Sequence, residues 1–204
     1  MLKITNKSNV FALTSSAVLI AIGILIPMFA PRVVIGPASY TLASHVAIFI
    51  AMFISPKVAV AVTLGTTIGF FFGGFPLIIV FRAASHIAWS LPGAIYLSKI
   101  DKFNIPWVKL RVFSFVIAII HGVAEFAAVM LFYFGAGFPE GMGVMWLLSF
   151  IGFGTVVHSM IDLEIANVVR LGLQTQKSYR ELAKVSNKSC KHSSKNMRIP
   201  QPLP

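Results

Sequence analysis

Ionisable side chains are rare in this chain, and those inside its apolar stretches are spaced as one helix face would need. In FPLIIVFRAASHIAWSLPGAIYL, residues 75–97, Arg82 is followed at i+4 by His86, so both project from the same side of a helix. Residues 112–134 carry His121 and Glu125 at that spacing, and residues 144–168 carry His158, then Asp162, Glu164 and Asn167. The stretch around Arg82 is long enough to cross a bilayer, for which about 20 residues suffice. A positive charge in hydrocarbon costs at least about 2.5–3.5 kcal/mol on insertion scales, so Arg82 must face a partner, a cavity or a ligand. At about 1.5 Å per residue it lies roughly 10 Å inside the end marked by Phe75.

Hydrolysis and phosphoryl transfer lack the residues they need. Intramembrane metalloproteases hold zinc with His-Glu-x-x-His on one helix face. Here His121-Gly-Val-Ala-Glu125 offers one histidine and no second at the required spacing. An interhelical hydrogen-bonded pair is the better reading, because polar groups in lipid must find partners. No Gly-x-Ser-x-Gly and no Walker A pattern occurs, so neither a serine hydrolase nor a nucleotide site is expected. The chain reads as a non-enzyme with no metal and no cofactor. Any ATP spent on transport is spent on another subunit.

A binding site suits the inventory better. Arg82, His86 and His45 fall in the outer half or near the centre of their spans, while Arg32, Tyr40 and Glu140 lie on or beside the outer loops. With Trp89 and Trp146 in flanking helices, this is a cationic and aromatic cluster. It fits a small, flat, anionic ligand held by charge-assisted hydrogen bonds and stacking. Two roles stay open for Arg82: anchoring that ligand, or pairing with Glu125 for structure. His121, Glu125 and His158 make a polar core near mid-membrane. Asp162 and Glu164 read as helix-end charges paired with basic loop residues. The alternatives are an intramembrane enzyme built on the His121/Glu125/His158 core and a stand-alone carrier. Metal retention would favour the first, and uptake without partners the second.

The elements that must position these residues are membrane helices. The chain has 204 residues, 57% hydrophobic and 11% charged, with a mean hydropathy of +0.85; soluble domains are about 25% charged. Apolar runs at about 10–29, 40–54, 58–72, 75–97, 112–134 and 144–168 predict six spans in an all-α integral membrane protein. The first run is long for a signal peptide, and Met28-Phe29-Ala30 is a poor cleavage site. Pro27, Pro31, Gly36 and Pro37 break the chain after the first span, and Gly73-Gly74 with Pro76 turns the third span into the fourth.

The net charge of +11 does not imply nucleic acid, because the basic residues sit between spans or in the tail, as orientation signals and anionic-lipid contacts do. Of the 17 basic residues, a six-span count leaves only Arg32 on the side opposite the N-terminus and Arg82 within a span. Positive charge collects in the cytoplasm, so both termini are expected there. Cys190 is the only cysteine, so no internal disulfide can form. Residues 1–173 read as the transmembrane domain and 174–204 as a basic, flexible cytoplasmic tail. Ala17 and Ala21, beside Ala12 and Ser16, form small-residue faces that allow close helix approach, from inside the fold or from a partner. Gly65, Gly69 and Gly73 form a glycine ribbon, better read as tight helix packing than as a substrate groove.

With these features the chain resembles the substrate-binding S components of energy-coupling-factor (ECF) vitamin transporters. The likeness covers about residues 11–173: a six-span core, the motif Ala17-Val-Leu-Ile-Ala21 on the first helix, and a long semi-apolar first outer loop, residues 30–39, like the lid over their site. The stretch YTLASHVAIFIAMFISPKVAVAVTLGTTIGFFFGGFPLIIVFRAASHIAW is most similar to the niacin-type S components. The resemblance implies a bacterial plasma-membrane protein that captures a vitamin, niacin or another small anionic one, from outside. It implies docking through Ala17 and Ala21 on one transmembrane T component with two ATP-binding subunits. It also implies toppling in the membrane to release the ligand inside.

Overall fold

The computed structural model describes residues 2–35, 38–102 and 104–176, with side chains from residue 9 onward. The tail from 177, with Cys190, and the loop residues Gly36, Pro37 and Phe103 lie outside the described residues. The chain is helical apart from one hairpin. Helix α1 (Leu2–Phe29) leads into β1 (Arg32–Ile35) and β2 (Ala38–Thr41), which pair antiparallel with Arg32 opposite Thr41 and Val33 opposite Tyr40. Then follow α2 (Val46–Ile54), α3 (Pro56–Phe72), α4 (Leu77–Ser85), α5 (Ile87–Lys99) and α6 (Trp107–Ala136). Helix α7 (Val144–Leu147), a π-helical turn at Leu148–Phe153 and α8 (Gly154–Gln174) run on as one rod. The stretches Asn9–Phe29, Leu77–Lys99, Trp107–Ala136 and Val144–Gln174 are long and apolar enough to cross a membrane, and α3 is a shorter apolar helix.

Local chemistry sets the breaks. Ser55 separates α2 from α3 and accepts a hydrogen bond from Val58 N at 3.3 Å, with Pro56 at the first helical position, where its missing N–H costs nothing. Gly74, at φ +73°, makes the tight return from α3 to α4 that a side chain would strain. The expected fourth span is continuous in direction but divided at His86, whose N–H bonds to Ala83 O at 3.2 Å in a tightened turn.

The expected second span, 40–54, needs correction. Tyr40 and Thr41 pair in β2, residues 42–45 turn, and only Val46–Ile54 is helical. Nine residues rise about 13 Å, under half of a bilayer core. Irregular backbone at that depth is tolerated only inside protein or beside a cavity. The turn lies beside a cavity, which Thr41, Ser44 and His45 line, and all nine residues of α2 are buried, enclosed by α1, α3, α5 and α8.

The glycine ribbon is a packing seam. A Cβ on Gly65 would collide with Ile20, and one on Gly69 with Ile24, so α1 lies directly on α3. That contact uses one face of α1. Ser16 and Leu19 are buried, whereas Ala17 and Ala21 are exposed on the outer face, with Ser16 turned back on its own helix at Ala12 O. The Ala17/Ala21 face is no internal seam of this chain.

Candidate functional site

Two buried carboxylates organise the interior. Glu125 of α6 receives Arg82 twice, from Nη2 at 2.9 Å and Nε at 3.2 Å on Oε2. Thr155, in the first turn of α8, donates to the same oxygen at 2.7 Å, and His86 Nε2 lies 3.1 Å from Oε1. The i+4 spacing of Arg82 and His86 thus brings both to one carboxylate. Two guanidinium N–H groups on one carboxylate oxygen, with further donors beside them, make burial of the two charges tolerable.

Asp162 of α8 does the equivalent for the backbone. Its Oδ1 accepts Ala43 N–H at 2.9 Å, and its Oδ2 accepts His45 N–H at 2.9 Å beside His45 Nδ1 at 2.9 Å. His158 Nε2 is 3.3 Å from Oδ2. The carboxylate captures the turn between β2 and α2, in which Ala43 adopts φ +66°, an uncommon state for a residue with a Cβ. Asp162 is therefore not the helix-end charge that its distance along the sixth span implied: it is 0% exposed. Glu164, two residues on and on another face, pairs with Arg111, which the structure places in the second turn of α6 rather than in a loop.

Between these anchors lies a cavity of about 340 Å³, within the usual range for small-molecule sites. Arg82, His86, His45 and Arg32 of the expected ligand set line it, together with Glu125. Tyr40 and Trp89 do not line it. Tyr40 covers Gly154, where a Cβ would meet its hydroxyl, and its ring lies 5.5 Å from His158. Trp89 is fully buried between Phe49 and His121, at 4.8 and 4.7 Å. Glu140 is exposed and Trp146 stacks on Phe150 at 4.5 Å.

Sequence reasoning passed over Ser39, Thr41, Ser44, Phe70 and Phe75, which line the cavity. Phe70 and Phe75 stack at 4.6 Å and 29° across the α3–α4 turn. The hairpin supplies Arg32, Val34, Ser39 and Thr41 to the wall, so the loop expected between the first two spans is a two-stranded element beside the cavity. His121 is wholly buried behind the wall, next to Glu125, while His158 sits beside Asp162.

Apolar helices around a cavity whose wall carries a few polar groups fit a membrane protein that takes up a small molecule. The chain is 41% identical over 165 residues, 79% of its length and 74% of the relative's, to niacin transporter NiaX of Lactococcus lactis subsp. cremoris. It belongs to that family of membrane vitamin transporters, the niacin-type S components. No family model and no solved structure matches the chain.

Proposed function

We propose that this chain captures nicotinate at the hairpin side of the membrane and delivers it through an ECF energising module. The observation that carries the reading is a charge and hydrogen-bond remainder at the cavity wall. Two guanidinium groups, Arg32 and Arg82, face a cavity with one carboxylate, Glu125. Arg82 Nη1 is buried and has no hydrogen-bond partner among the described residues. A monoanionic ligand carboxylate supplies both the missing charge and the missing acceptor. The Phe70/Phe75 pair offers apolar surface to a flat ring, and His45 and His86 offer polar contacts.

In this reading six segments count as spans, with the short α2 completed by the hairpin and turn that cap it. Both termini lie in the cytoplasm of a bacterial plasma-membrane protein. Residues 1–173 form the transmembrane domain and 174–204 the basic tail. A T component docks on Ala17 and Ala21, and its two ATP-binding subunits hydrolyse the ATP. Equilibrium binding to detergent-purified protein tests the ligand. Nicotinate should bind far more tightly than nicotinamide, which keeps the ring but replaces the carboxylate by a neutral amide. Equal affinities would remove the charge argument.

A further inference from the structure

Ligand binding at the cavity leaves His121 unexplained. Its ring is 0% exposed, and neither Nδ1 nor Nε2 has a hydrogen-bond partner among the described residues. Nε2 lies 3.4 Å from Glu125 Oε1, close but outside hydrogen-bond geometry. Orphaned polar atoms inside a membrane protein are costly. Around His121 stand His45 and His86, with ring centroids at 4.6 and 4.9 Å and planes near perpendicular at 81° and 89°. One ligand atom from each of His45, His86, His121 and Glu125 falls in a group no wider than 4.8 Å.

We propose that these four side chains form a structural site for a divalent first-row transition ion, best matched by zinc. The ion clamps the N-terminus of α2, the α4–α5 junction and α6 together at the cavity wall. Three imidazoles and a carboxylate make a complete tetrahedral set, and sites with all four positions filled by protein are structural rather than catalytic. Zinc bonds of about 2.0–2.1 Å place donors roughly 3.4 Å apart, so the widest pair, within 4.8 Å, must close by up to about 1.4 Å through side-chain rotation.

The surrounding bonds hold most of the set in place, and the one bond the ion would replace is His86 Nε2 to Glu125 Oε1 at 3.1 Å. Glu125 commits Oε2 to Arg82 and Thr155 and keeps Oε1 toward the histidines. His45 commits Nδ1 to Asp162 at 2.9 Å, which fixes the ring and leaves Nε2 as donor. A carboxylate behind a ligating histidine is the recurrent outer shell of zinc sites. The neighbouring group His45, His158 and Asp162 also falls within metal-ligand reach. Asp162 is already occupied there by two backbone N–H groups, so that group is the weaker chelate. His45, His86 and Glu125 also line the cavity, so an ion held there adds to the positive charge that an anionic ligand meets; the metal site itself rests on these side chains and not on the identity of the vitamin.

Cobalt is the probe, because tetrahedral Co²⁺ absorbs intensely in the visible and binds the same donors. Chelator-stripped wild-type protein in detergent should take up one equivalent of Co²⁺ with intense bands that Zn²⁺ abolishes. His121→Phe fills the same space without a donor. It should lose more affinity for Co²⁺ than the roughly 10–100-fold that removing an outer-shell partner costs. If that variant does not fold, His86→Gln serves in its place, and the wild-type spectrum decides by itself. No uptake by stripped wild type, a weak octahedral spectrum, or bands unchanged in His121→Phe each overturn the site. Nicotinate binding recorded on the same samples shows separately whether the vitamin reading holds.

Discussion

At the scale of single residues, Arg82 combines two roles that the sequence presents as alternatives. It is held by Glu125 through two hydrogen bonds, yet its Nη1 remains unpartnered at the cavity wall. Arg82→Met removes the anchor and also strands a buried carboxylate, which costs about 3–5 kcal/mol. The single variant should therefore melt earlier than wild type. Adding Glu125→Gln should restore much of that stability without restoring affinity. Losing a buried charged partner costs a ligand on the order of 2–5 kcal/mol, or about thirty-fold and upward. Nicotinate binding by the double variant within three-fold of wild type would show that Arg82 does not anchor the ligand. The i+4 spacing made the Arg82/His86 face legible. The partner choice of Asp162 was not, because it joins groups 117 and 119 positions apart and no local pattern encodes such a pairing. Its position near a predicted helix end pointed instead to a surface charge.

At the scale of elements, α1 presents Ile20 and Ile24 to the glycines of α3 and leaves Ala17 and Ala21 exposed. Gly65 and Gly69 of α3 admit Ile20 and Ile24 of α1 so closely that no Cβ fits. Gly69→Leu should lower the melting temperature, since overpacking a filled seam costs typically about 1–3 kcal/mol. Ala17 and Ala21 point away from this seam. Ala17→Trp with Ala21→Trp should leave the purified protein folded and able to bind nicotinate, while uptake by cells carrying the complete transporter is lost. Loss of binding in the isolated variant would mean that the face serves the fold rather than a partner. The ribbon's packing role and the break after α1 were readable from glycine and proline positions. The hairpin was not, because residues 32–41 lack the alternation that marks a strand and sit between apolar runs. The short α2 was overextended because Tyr40 to His45 contain no glycine or proline to mark a break before the helix. Their turn is imposed by Asp162 from the far end of the chain. Asp162→Asn keeps the shape but weakens the acceptor for Ala43 and His45, and should raise amide exchange at those positions before it affects α6.

At the scale of the whole molecule, the two ends of the bundle differ in charge. The hairpin packs with the C-terminal half of α6, α7 and the π-helical turn in one cluster that includes Ala38, Tyr133 and Leu147. Arg32 and Glu140 belong to that end. The opposite end gathers Lys102, which donates to Ile54 O at 2.8 Å, and Arg170, which donates to Lys102 O at 2.7 Å and lies 4.9 Å over the Phe53 ring. Lys57, Lys99, Lys109 and Arg111 flank the helices that finish or begin there. Basic residues near span ends are retained in the cytoplasm, and the proposed orientation accordingly has the Lys102/Arg170 end inside and the hairpin end outside. In a Cys190→Ser background, cysteines at Val33 and Glu140, both exposed, should react with a membrane-impermeant maleimide added to intact cells. A cysteine at Asn104, exposed at the other end, should react only after permeabilisation, and so should native Cys190 in the unmodified chain. Labelling of Asn104→Cys in sealed cells, with Val33→Cys silent, would invert the orientation and place the hairpin end in the cytoplasm, where it could not meet an incoming vitamin.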